Sequence, residues 1–219
     1  MKPVKTMHIR MTFVESILGT MPNNPDIYRA FIGSKSPDAA TVEDEVRSLG
    51  ADAVAENQMT VFPALDDGTP FLYDYQIKGF FKGACGHLRS VPGSESSKLK
   101  AYKKIIDGHI FPKPRKIIFH DVEEIGECQR PLRAQTAQGE RVSLAMSEEI
   151  SAGAWIQFDV ELFDAKEYEY VVEWLDFAIY NGIGQWRNAS HGRAIWEELD
   201  DNGNVIGGNA SEYYRSLAV

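Results

Sequence analysis

Alternating apolar and polar positions open the chain. In Thr6–Val14, Met7, Ile9, Met11 and Phe13 fall on one side of an extended backbone, and His8, Arg10 and Thr12 on the other. That period of two is the mark of a half-buried strand. Leu18–Thr41 is rich in Gly, Pro, Asn and Ser and reads as a long loop with short helical turns. Val42–Asn57 is built of helix formers, and Val61–Leu65 is a short strand segment. From Tyr75 to Arg89 the period changes. Ile77, Phe80, Phe81, Ala84 and Leu88 form an apolar face at helical spacing, with Asp74 placed to cap it and Pro92-Gly93 to stop it.

Further along, Ser94–Gly108 is polar, basic and expected to be helical. His109–Phe119 reads as a strand interrupted by Pro112 and Pro114, which confines it to an edge or a bulge. Cys128–Ser147 reads as a loop or hairpin arm carrying Arg130, Arg133 and Arg141. Trp155–Phe163 alternates strictly, with Ile156, Phe158, Val160 and Leu162 facing one way. Ala165–Tyr180 is amphipathic at helical spacing, and Arg193–Leu199 is a short strand after a glycine-rich loop. The acidic, Gly- and Asn-rich tail reads as loose. The order predicts an α+β fold, a ferredoxin-like (RRM-like) βαββαβ core. One domain would span residues 1–219, with insertions at about 19–60 and about 94–141.

Composition narrows the class. At 43% hydrophobic and 25% charged the chain is that of a globular protein, not a disordered one. It has no apolar run long enough to span a bilayer, and its first residues lack the apolar stretch of a signal peptide. Cys85 and Cys128 are too few for a disulfide scaffold. They are expected to be reduced thiols in a cytoplasm. The net charge of −9 argues at first against a polyanion partner. The average conceals a split. Lys78–Arg141 holds 13 Lys and Arg against 7 Asp and Glu, a local +6, while the remainder holds 10 against 25. One basic face on an acidic body follows.

Candidate chemistry concentrates in two stretches. On the helix, Lys78, Lys82 and Arg89 form a basic stripe, and Gly79, Gly83 and Gly86 recur beside it. Each glycine costs a helix interior about 1 kcal/mol relative to Ala, so something must approach the backbone closely. A packed strand and a nucleic-acid backbone are the two options. The second stretch is Gly182-Ile183-Gly184-Gln185-Trp186-Arg187-Asn188-Ala189-Ser190-His191-Gly192-Arg193. Glycine-rich turns expose N–H groups to phosphates, arginines add charge, and Trp186 offers a π face to a base. Lys98, Lys100, Lys103 and Lys104 with Tyr102 add a basic cluster. A solvated helix face explains that cluster as well as phosphate contact does. His87, His109, His120 and His191 have no metal-ligand spacing, and neither cysteine belongs to a CxxC, so no metal or cofactor is expected.

Asp67-Gly68-Thr69-Pro70-Phe71-Leu72, the helix Ile77–Arg89 and the loop Gly182–Arg193 together resemble the RAMP superfamily, the ferredoxin-like RNA-binding subunits of CRISPR effector complexes. In that family a G-x-P-y-I-P-G-S-S-L-K-G-x-L-R element opens the first helix, and a glycine-rich loop follows the second. Here Lys82-Gly83 and Leu88-Arg89 match in order, while Tyr73-Asp74-Tyr75-Gln76 replaces the P-G-S-S start. The resemblance implies a protein that coats single-stranded RNA or DNA as a head-to-tail filament or beside other CRISPR-type subunits. The Gly19–Asn57 segment would be a thumb-like arm. Lys78, Lys82, Arg89, Lys103, Lys104, Arg115, Lys116, Arg130, Arg133, Gly184, Trp186, Arg187, His191 and Arg193 are the expected nucleic-acid contacts. Some relatives cut RNA with a histidine base or a loop aspartate and a metal, roles open to His191 and to Asp26 or Asp38. Binding without cleavage is the expectation for this chain. A different class of reading is a decoy or assembly protein that docks on a CRISPR complex or a phage component without nucleic acid.

Overall fold

The computed structural model describes residues 2–22, 59–136 and 139–218, without the side chains of residues 131–144. The expected helix at 42–57, most of the thumb-like arm, Asp26, Asp38 and the side chains of Arg133 and Arg141 lie outside the described residues.

Strand β1 (Lys5–Phe13) is central because every second side chain is fully apolar. Met7, Ile9, Met11 and Phe13 are completely buried, and the residues between them are half-buried. Each such side chain contributes roughly 1.5–3 kcal/mol on burial. On one side β1 pairs antiparallel with β10 (Trp155–Leu162), and on the other with β11 (Ala194–Leu199). Beyond β10 lie β6 (Ile110–Lys113) and β7 (Lys116–His120), both antiparallel to it. Pro114 separates them, so the proline-interrupted strand expected over 109–119 is two short strands that both pair with β10, and β7 is not an edge because β5 pairs with its other side. The seven-stranded sheet is completed by β5 (Phe71–Tyr73) on β7 and β12 (Val205–Gly208) on β11.

Helix α1 (Asp74–Leu88) and helix α3 (Glu167–Asp176) pack on the apolar face of this sheet. Phe81 of α1 lies 5.5 Å, ring centre to ring centre, from Trp174 of α3. Gln76, rather than Asp74, accepts a hydrogen bond from the Tyr73 backbone N–H at the start of α1. The Asp74 carboxylate is taken by Arg115 and by the Tyr75 N–H. Within the expected helix 94–108, residues Ser96–Lys98 form a single 3₁₀ turn, and α2 runs from Tyr102 to His109. Glu173 fixes that turn by accepting from the N–H groups of Glu95 and Ser96 and from the Ser96 hydroxyl.

A second sheet is built from β2 (Ile17–Leu18), β3 (Met21–Pro22), β4 (Met59–Val61), β8 (Ile125–Thr136) and β9 (Gly139–Ile150). The β8–β9 hairpin is the arm expected from the sequence, paired from Ile125 opposite Ile150 to Thr136 opposite Gly139. Its pairing with β4 is the one parallel contact among the described strands. The tail departs from expectation. It forms β12 and α4 (Ala210–Leu217) rather than loose chain. Asn209 ties it down, its side-chain carbonyl accepting from the Trp196 N–H and its own N–H donating to the Trp196 carbonyl. No helix among the described residues is long and apolar enough to cross a membrane.

Candidate nucleic-acid interface

The glycine-rich loop after α3 is closed at its base by backbone pairing. The Ile183 N–H donates to the Gly192 carbonyl at 2.9 Å, and the Gly192 N–H donates to the Ser16 carbonyl at 2.7 Å. Gly192 has a φ of +71°, and a Cβ there would lie 1.8 Å from the Ile183 carbonyl oxygen. No other residue fits. Inside the loop Gly184, Trp186 and Ser190 are also left-handed, at φ of +93°, +52° and +77°. A 3₁₀ turn, Arg187–Ala189, lies between the last two. Within the loop Ile183 is buried, while Trp186, Asn188 and Ala189 are exposed.

Side chains from distant strands complete the site. Trp186 stacks on His191, with ring centres 5.1 Å apart and planes 16° from parallel. The Arg130 guanidinium of β8 lies 5.2 Å from the Trp186 ring and donates to the Gln185 side-chain carbonyl at 2.5 Å. Gln185 in turn donates to the Gly19 carbonyl. His191 Nδ1 is 3.0 Å from the Ser16 hydroxyl and 3.9 Å from the Glu149 carboxylate. The Trp186 side chain remains 39% exposed, so one edge of this stack is open to a ligand.

Polar satisfaction fails in one region. Arg130 Nη1, Arg193 Nε and Asn181 Nδ2 are buried donors with no hydrogen-bond partner, and all three flank this loop. Only one further side-chain atom among the described residues, Arg10 Nε, shares that state. Buried polar groups are almost always paired, so these donors depart from the usual rule. Neither Arg187 nor Arg193 makes an ion pair among the described residues.

The expected contacts divide into groups. Gly184, Trp186, Arg187, His191 and Arg130 come together at the loop, and Arg193 follows it in the chain. Lys78 and Lys82 turn to α2 instead. Lys78 donates to the Asp107 carbonyl at 3.2 Å and lies over Phe111, and Lys82 pairs with the Asp107 carboxylate. Burial lowers the Lys78 ammonium below the usual lysine range, with Asp107 opposing that shift. Arg89 lies 5.0 Å from the Tyr102 ring. Arg115 pairs with Asp74 and lies over Tyr73 and Tyr75, and Lys116 lies over Phe71. These belong to the β5–β7 margin of the sheet. Lys103 and Lys104 are exposed on α2.

The helix glycines have separate reasons. A Cβ at Gly83 would stand 3.2 Å from Arg187 Nη1 and 3.8 Å from Asn181 Nδ2. The close approach at Gly83 is therefore made by the loop's own arginine rather than by a strand. A Cβ at Gly86 would make ordinary contact with the Tyr102 hydroxyl at 3.4 Å, and one at Gly79 would meet nothing within 4 Å. Sequence reasoning missed Asn181, Gln185 and Ser16. Their roles depend on partners from other elements, and no local motif marks them.

No protein-family model matches the sequence, and no curated protein matches it. Among solved structures, the chain is similar to one in the cryo-EM structure of a Type III-B Cmr-beta complex bound to cognate target RNA. The TM-score is 0.48 at 8% identity, over 90% of this chain and 60% of the other. This chain thus spans less than two thirds of the length of that one.

Proposed function

We propose that this protein binds single-stranded nucleic acid at the loop 182–193, with phosphates on Arg130, Arg187 and Arg193 and a base against Trp186. The observation that carries the reading is the exposed Trp186 ring, stacked on His191 and lying beside the Arg130 guanidinium. A phosphodiester supplies acceptors and no donors, and it carries the matching charge. Trp186 beside Arg130 and His191 supplies the stacking platform that single-strand binders use without reading sequence.

The fold supports the same reading. Strands β1, β6 with β7, β10 and β11 alternate with α1 and α3 in the order βαββαβ. In space they run β11-β1-β10-β7, all antiparallel. This order supports our reading of a ferredoxin-like, RRM-like core, in keeping with the RAMP-like motifs of the sequence. The protein is a binder rather than a nuclease in this reading. RNA incubated with it stays full length, and cleavage abolished by His191→Ala would overturn that part.

Fluorescence anisotropy with a labelled single-stranded RNA of about 20 nucleotides tests the assignment. Trp186→Ala should weaken binding by about 1–3 kcal/mol, roughly 5- to 150-fold. Equal affinity in wild type and variant removes the platform from the account, and absence of binding in the wild type removes the function.

A further inference from the structure

A second concavity lies where the loop meets α1. Its volume is about 440 Å³, within the range of about 300–1,000 Å³ that holds small molecules. His87 of α1 and Asn181, Gln185, Trp186, Arg187 and Asn188 line it. Every polar side chain in that set can donate a hydrogen bond, and no carboxylate is among them. Asn181 Nδ2 is buried there and unpartnered. The carbonyls of the last turn of α1 are already occupied. Cys85 accepts from the Arg89 N–H, His87 from the Ser90 N–H and hydroxyl, and Leu88 from the Ser94 hydroxyl. The helix end therefore adds little repulsion toward an anion. Contact of Arg187 and Asn181 with Gly83 closes the concavity on the helix side.

We propose that this concavity is a phosphomonoester site, which takes the terminal phosphate of a nucleic-acid strand on Arg187, Asn181 and His87, with the last base beside Trp186. The inference rests on the nucleic-acid reading above and deepens it. A cup lined by donor-bearing side chains, with no carboxylate and closed on the helix side, stops a strand instead of passing it along. A terminal monoester, at about −1.5 to −2 charge, gains more there than an internal diester.

The test compares three single-stranded RNAs of one 12-nucleotide sequence, carrying a 5′-phosphate, a 3′-phosphate or neither, by anisotropy. One phosphorylated end should bind at least tenfold tighter than the bare strand. That ratio should fall to about one in Asn181→Leu and in His87→Ala, the latter an exposed helix position that is safe for folding. Bare and phosphorylated strands of equal affinity in the wild type overturn the strand-end site and leave the single-strand reading standing. If no strand binds, that reading falls, and adenosine 5′-monophosphate alone judges the pocket. Saturable tryptophan quenching lost in His87→Ala supports a phosphomonoester site for a free nucleotide. No quenching overturns it.

Discussion

Substituting Gly83 by Ala separates a glycine kept for the helix from one kept for the loop. Gly79 and Gly83 lie one turn apart on α1, but a Cβ at Gly79 meets nothing within 4 Å while one at Gly83 stands 3.2 Å from Arg187 Nη1. Gly79→Ala should therefore gain the full helix-propensity difference of about 1 kcal/mol, which for a chain of this size raises Tm by about 2–4 °C. Gly83→Ala gains the same propensity and loses part of it in moving the guanidinium a few tenths of an ångström. Its Tm should fall between wild type and Gly79→Ala. The displaced Arg187 should also weaken single-stranded RNA binding, which Gly79→Ala leaves unchanged. Thermal unfolding followed by circular dichroism and anisotropy on the same samples reads both effects. Equal Tm gains and equal affinities for the two variants would refute the contact. A fall of Gly83→Ala below wild type would mean that rigid packing, not a movable side chain, fills that space.

Three further outcomes follow from the geometry. Gly192→Ala places a Cβ 1.8 Å from the Ile183 carbonyl at a left-handed residue, and should cost more than about 2 kcal/mol in urea unfolding, since backbone must move. The hydrogen bond that the His8 Nδ1–H donates to Asp159, helped by Asp201, raises the His8 imidazole above its ordinary value. A raised folded-state pKa stabilises fully below the unfolded value near 6.5 and is lost as pH rises through the folded one. Wild type should therefore exceed His8→Gln in stability more at pH 5.5 than at pH 8.5. Burial, then the hydrogen bond to Glu198, pushes the Tyr168 hydroxyl up to about 12. Tyr168→Phe should cost about 1–3 kcal/mol, because buried Glu198 loses that donor.

Much of the fold is legible where one side of an element is buried and the other is not. Ile156, Phe158, Val160 and Leu162 announce β10, and Ile77, Phe80, Phe81 and Ala84 announce α1, because each buried face has the period of its element. The tail was not legible for the converse reason. Helix α4 buries only Ala210 and β12 is almost wholly exposed, so neither carries an apolar pattern. At the site, the glycines and Trp186 stood out, yet the pairing of Arg130 with Gln185 and of Ser16 with His191 joins residues 55 and 175 positions apart. The basic stripe of α1 was visible, but its target was not. At about 100° per residue, Lys78, Lys82 and Arg89 lie roughly 140° round the helix from Gly83 and His87. The stripe meets α2, and the glycine meets the loop.

The salt dependence of RNA affinity is the most direct test of the central claim that guanidinium groups at the glycine loop hold phosphates. Single-strand binding loses about 0.7 in the slope of log K against log salt for each phosphate contact removed. Arg193→Ala and Arg130→Ala should each weaken binding and flatten the slope by about 0.7. Lys82→Ala, whose ammonium is committed to Asp107, should leave the slope unchanged. Unchanged slopes in both arginine variants, with a flattened slope in Lys82→Ala, would move the interface to the helix stripe and contradict the account.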